Sequence, residues 1–289
     1  RLRMLENIDL SGNIFETAPL KTLQRQYFFL MSVDLSRNKV REIPPDDSIM
    51  VNIKRLDLSF NPLSQDAITN VLGEPKTVRE LNMAGTGINH VPVLETPFLH
   101  HLNLSHNNIA DLPGKVFERP TLLEILDLSH NKLSDISGSL SQVWSKLKNL
   151  QTLDISSNPI TSVVQGDLDD LQSLCKLKIS MLEECTRLEK MAFRKLGNLA
   201  ELEAYGYPKL GYLDVTGLLH SLPALEALDV EVKDSAIGSD QLSAAMNPRL
   251  AKLGIRGSRV QSISSGALAG LKSSEISVEL KNTSLNTLP

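Results

Sequence analysis

The chain has 289 residues, 41% of them hydrophobic and only 4% aromatic, with 30 Lys and Arg against 34 Asp and Glu for a formal charge of −4. Such a balance gives no general attraction for nucleic acid, and no run of about 18 apolar residues could cross a bilayer. The length alone would suggest two globular domains, but an internal repeat removes that inference.

Taken in chain order, an asparagine recurs at Asn13, Asn38, Asn61, Asn107, Asn131 and Asn158, with Thr86 in the same slot, at intervals of 25, 23, 25, 21, 24 and 27 residues. Each marker follows a fixed leucine frame, such as Leu99, Leu102 and Leu104 before Asn107 or Leu123, Leu126 and Leu128 before Asn131. Beyond Asn158 the asparagine is lost, but the frame continues through Leu177, Leu202, Leu228, Leu253 and Val278, giving about twelve repeats. Apolar residues two apart lie on one face of a short strand. We therefore expect a stack of parallel strands that buries its leucines between repeats, with the asparagine amides satisfying turn backbone inside the stack. Twelve strands would give a sheet on the order of 55 Å long.

The repeats change character near residue 165, dividing the chain into regular repeats (1–165) and degenerate ones (166–289). In the regular part the outward strand slot holds Asp9, Asp34, Asp57, Asn82, Asn103, Asp127 and Asp154, an acidic ridge that could attract a basic partner. Of these, Asp57, Asp127 and Asp154 are candidate partner contacts. Histidines gather at His100, His101, His106 and His130, the last two sharing one slot in successive repeats. No zinc signature surrounds them, so His106 and His130 are candidate contacts rather than metal ligands. Asn103 begins the sequon Asn-Leu-Ser, and a glycan there would cover the strand face. The longest unit holds the single tryptophan, Trp144, with Val143, Leu147 and Leu150 at helical spacing, which predicts a helix packed on the core.

In the degenerate part Cys175 and Cys185 lie ten residues apart, a spacing that neither demands nor forbids a disulfide. Tyr205, with Met181 and Val232 in the next column, reads as an exposed contact patch. Asn282 begins a second sequon, Asn-Thr-Ser.

The unit L-x-x-L-x-L-x-x-N-x-L, held in register from Leu5 to Leu288, resembles the leucine-rich repeat family. Tails such as 112–126 and 191–202 are similar to the roughly 24-residue type of animal extracellular proteins. The resemblance implies an α/β repeat fold: a curved solenoid with a parallel β-sheet on the concave face and loops or short helices on the convex face. It further implies a non-catalytic protein-binding module without a cofactor, a fragment of the ectodomain of a cell-surface or secreted protein. Chaoptin-like adhesion proteins are the nearest in style and Toll-like receptor ectodomains the next. Its partner would be a protein ligand or another copy of itself, not nucleic acid, with no direct membrane insertion by this stretch. An intracellular scaffold and an innate immune pattern-recognition ectodomain are the alternative readings. No nucleophile elbow, phosphate loop or metalloprotease signature argues for an enzyme.

Overall fold

A computed structural model describes residues 4–45, 52–72, 77–119, 122–238, 242, 247–268, 271 and 275–288. The chain forms two compact units, residues 1–133 with 145–150, and residues 134–144 with 151–289.

The first unit carries β1 (Asn7–Asp9), β2 (Ser32–Asp34), β3 (Arg55–Asp57), β4 (Glu80–Asn82), β5 (His101–Asn103) and β6 (Ile125–Asp127), with helices α1 (Leu20–Gln26) and α2 (Gln65–Leu72). All six strands are parallel and follow chain order, and the register aligns Ile8, Val33, Leu56, Leu81, Leu102 and Leu126. From Val33 onward these strand centres are buried, as are Leu35, Leu58, Leu104 and Leu128 two residues later. A buried leucine contributes about 1.5–3 kcal/mol, and only a neighbouring repeat can bury it. Stacking is therefore the source of stability.

Asparagine closes the account of backbone polar groups. Asn61 donates from Nδ2 to Leu35 O of the preceding repeat at 2.9 Å and to its own Leu58 O at 3.0 Å, while its Oδ1 accepts from Val40 N–H at 2.9 Å. Asn107 repeats the pattern with Met83 O, Leu104 O and Ile88 N–H. Asn38 and Asn131 do likewise, whereas the exposed Asn13 bonds only within its own repeat. Thr86 keeps one of these bonds through its hydroxyl, which donates to Met83 O at 2.8 Å.

The second unit holds α3 (Ser139–Trp144), β7 (Thr152–Asp154), β8 (Ser162–Val163), β9 (Lys176–Lys178), β10 (Arg187–Leu188), β11 (Glu201–Ala204), α4 (Val215–Ser221), β12 (Ala227–Glu231), β13 (Ala236–Ile237), β14 (Lys252–Arg256), β15 (Ser262–Ile263) and β16 (Ser277–Lys281). Its parallel ladder runs β7, β9, β11, β12, β14, β16. Two further parallel pairs, β8 with β10 and β13 with β15, join successive repeats outside the ladder. The leucine frame did not announce them.

Asn158 is buried and still donates to Ile155 O at 3.0 Å, but in later repeats the asparagine's work is shared out. Tyr207, fully buried in the marker slot, donates its hydroxyl to Ile179 O at 2.5 Å, the bond to the preceding repeat that an asparagine would make. Glu231 accepts from Gly206 N–H and Tyr207 N–H at 2.9 and 3.0 Å, replacing the amide oxygen. Burial pushes the Tyr207 phenol far above its usual range.

One expectation needs correction, and the open question of the cysteines is answered. The helix around the tryptophan stops at Trp144 itself, so Leu147 and Leu150, though buried, lie beyond it. Cys175 and Cys185 are both free: the first is exposed just ahead of β9, the second is buried beneath the turn after it, and the two thiols occupy different environments. Burial pushes the Cys185 thiol up.

Candidate partner-binding surface

Strands β1 to β7 end in the same turn. The Asp or Asn in its outward slot accepts the N–H two residues on, as Asp34 does from Ser36, Asp57 from Ser59, Asn103 from Ser105 and Asp127 from Ser129, at 2.8–2.9 Å. A short acceptor side chain at this position forms an Asx turn and stops the strand. One oxygen of each aspartate is thus structural, and what the other meets differs from repeat to repeat.

In the first unit β2 to β5 line a hollow of about 300 Å³ formed by Ser32, Asp34, Arg55, Asp57, Glu80, Asn82, His101 and Asn103. Asp57 also accepts from Asn82 Nδ2 at 2.7 Å, and Arg55 donates to Asn7 rather than to a carboxylate. Among the described residues, Asp34, Asp57 and Glu80 form no ion pair. Three carboxylates therefore share a hollow with a single guanidinium, and their field faces outward.

The second unit treats the same columns differently. Lys178 lies between Asp154 at 3.8 Å and Glu203 at 3.6 Å. Arg256 meets Asp229 through both of its forks, at 2.9 and 2.8 Å. Lys233 pairs with Glu231, and both Lys252 and Lys281 reach Glu279. Burial pushes the Glu231 carboxyl up, but the Lys233 ammonium and the two backbone N–H groups outweigh it and hold its pKa below the usual range.

The expected contact residues separate accordingly. Asp57 lines the hollow, Asp127 sits half-buried on β6, and Asp154 is paired with Lys178. The stretch Tyr205, Met181 and Val232 does not form one exposed apolar patch. Val232 is buried, and Arg256 lies over the Tyr205 ring at 3.9 Å from its centroid, leaving Met181 exposed. Arg256, held by Asp229, crosses the tyrosine ring and covers it. Asn103 lies in the hollow, whereas Asn282 is exposed with φ 51°.

His106 and His130 stack in parallel, centroids 4.1 Å apart at 10°. Ring nitrogen lone pairs lie in the ring planes, so in this arrangement they cannot converge on one ion. Both histidines have positive φ, as do Gly12, Arg37, Phe60 and Gly85 in the residue before each marker. Left-handed backbone at a side-chain-bearing residue costs roughly 1–2 kcal/mol. Arg37, Phe60, Glu80 and Arg55 are absent from the sequence-based candidates. The glycines at 12 and 85 were the available signal for this column.

Two family models match, "Leucine rich repeat" over residues 97–143 and "Leucine Rich repeats (2 copies)" over residues 121–173. Chaoptin of Tribolium castaneum is 25% identical over 81% of this chain and 29% of its own length. Tsukushi of Gallus gallus is 32% identical over 60% of this chain and 48% of its own. Adenylate cyclase of Schizosaccharomyces pombe is 26% identical over 85% of this chain but 14% of its own, so the chain spans a minor part of each of these relatives. The functional domain of InlJ from Listeria monocytogenes, at 21% identity, superposes with a TM-score of 0.61 over 95% of this chain and 58% of that one. That likeness establishes the fold.

Proposed function

We propose that this leucine-rich repeat chain is a non-catalytic protein-binding module from the ectodomain of a cell-surface or secreted adhesion or receptor protein, and that its partner seats on the strand face of the first unit. The observation that carries the binding face is the contrast in charge pairing: the carboxylates lining the hollow have no cation on them, while those of the second unit are neutralised by their own neighbours. An unpaired field attracts and orients a basic protein surface, and a rigid repeat stack offers it without ordering cost. The likeness to chaoptin and Tsukushi supports an extracellular setting. Nucleic acid fits poorly with the acidic face, and no helix among the described residues is long and apolar enough to cross a membrane.

Beads and cell layers coated with the protein test homotypic and heterotypic binding. The triple variant Asp34→Asn, Asp57→Asn, Glu80→Gln is expected to lose binding, and Asp229→Asn to keep it. Equal binding by wild type and triple variant would remove the first-unit face. Glycan mapping tests the setting: a glycan at Asn282 supports an ectodomain, and one at Asn103 would fill the hollow and reject that site. Bare asparagines at both positions would favour an intracellular scaffold.

A further inference from the structure

The left-handed column of the first unit carries a feature that the repeat does not require. Arg37, Phe60, His106 and His130 are all exposed, and their side chains touch in series. The Arg37 guanidinium lies 4.9 Å from the Phe60 ring centroid, Phe60 lies 6.2 Å from His106 at a tilt of 46°, and His106 stacks on His130. Phe60 and His106 are not in adjacent repeats. Between them stands Gly85, where a Cβ would come within 2.6 Å of Phe60 Cδ1. The missing side chain lets Phe60 lie across the intervening repeat, so a single strip runs from Arg37 to His130.

This strip is not part of the core. The leucines and asparagines already hold the repeats together, and Phe60 remains 44% exposed. A bulky residue in left-handed backbone is uncommon, and here it presents aromatic surface to solvent. Phe60 is only three residues past Asp57, a chain distance of at most about 10 Å from the carboxylate hollow.

We propose that the strip is a docking ribbon for a segment of a partner protein that carries an aromatic residue close to an arginine or lysine. The partner's ring packs on the exposed edges of Phe60 and His106, while its cation enters the hollow among Asp34, Asp57 and Glu80. Charge complementarity selects the cation, and the preference of aromatic rings for edge-to-face contact selects the ring. This rests on the reading that partners seat on the first unit's strand face.

The test is a titration of the whole chain with capped tripeptide amides, Arg-Gly-Trp, Arg-Gly-Gly and Glu-Gly-Trp, followed by NMR of the histidine side chains. Arg-Gly-Trp is expected to bind roughly threefold to tenfold tighter than Arg-Gly-Gly and to shift His106 and His130, with Glu-Gly-Trp weakest. That advantage should vanish in Phe60→Asn, whose asparagine tolerates left-handed backbone, and shrink in Gly85→Ala; Met181→Asn should leave it intact. If Arg-Gly-Trp is no tighter than Arg-Gly-Gly, or if Phe60→Asn retains the advantage, the ribbon is wrong. Binding of both arginine peptides that Asp57→Asn abolishes would then leave the acidic face standing. Binding of neither at the strand face would overturn both.

Discussion

Each of the two units holds a parallel strand ladder, and they handle its outward surface in opposite ways. In the first, one device recurs inside: Asn38, Asn61, Asn107 and Asn131 each bond their own and the preceding repeat, and the strand-face carboxylates of the hollow are left without cations. In the second, the interior beyond Asn158 is improvised from groups such as Tyr207 and Glu231, and the surface is closed by Lys178, Lys233, Arg256 and Lys281. A regular interior frees the surface side chains for a partner. An irregular one draws surface charge into the structure, since Glu231 serves the turn backbone and so needs Lys233 beside it.

The comparison is most directly broken by Asn107→Ala. Its amide serves Met83 O, Leu104 O, Thr86 N–H and Ile88 N–H, so its loss leaves several buried groups unpaired. Denaturant unfolding should show a loss of about 2–4 kcal/mol; a loss below about 1 kcal/mol would mean that water replaces the ladder.

Acid should separate the units next. Glu231, Asp214, Asp169, Glu189 and Glu279 in the second unit all have lowered pKa values, held down by lysine or arginine partners against burial or aided by backbone N–H groups. A carboxylate with a folded pKa below its unfolded value contributes stability above the unfolded value and loses it as pH falls through the folded one. Hydrogen exchange in the second unit should therefore accelerate below about pH 4.5, the ordinary glutamate value, before exchange in β2 to β6. Simultaneous loss in both units would contradict this ordering.

Tyr207→Phe tests the replacement bond alone. It leaves Ile179 O without its partner and should cost about 1–2 kcal/mol, seen as a lower denaturation midpoint. An unchanged midpoint would show that the tyrosine fills space only.

The smallest expected effect has the opposite sign. Phe60→Asn should stabilise the protein by about 0.5–1 kcal/mol, because asparagine tolerates the left-handed region that Phe60 occupies at φ 54°. Destabilisation would mean that Phe60 supports the fold rather than serving a surface role.

Much of the fold was legible because its causes are local. Leu102 and Leu104 are two apart, so a pleated strand must turn both to one face, and the repeat spacing identifies their neighbours in the stack. Asn107 was legible as structural because a buried turn has to satisfy its own backbone. Val232, by contrast, stood in a column that seemed outward by counting, and Tyr205 gave no hint that Arg256, 51 residues on, would lie across it.

The sequence by itself determined the strand ladder, the leucine core and the asparagine slots, since strand alternation and buried hydrogen bonding recur with the repeat. Only the tertiary structure decided which carboxylates are neutralised, and that Phe60 crosses Gly85 to meet His106. Long side chains choose partners among residues tens of positions apart, and that choice depends on reach and packing across repeats, which no spacing within one repeat encodes.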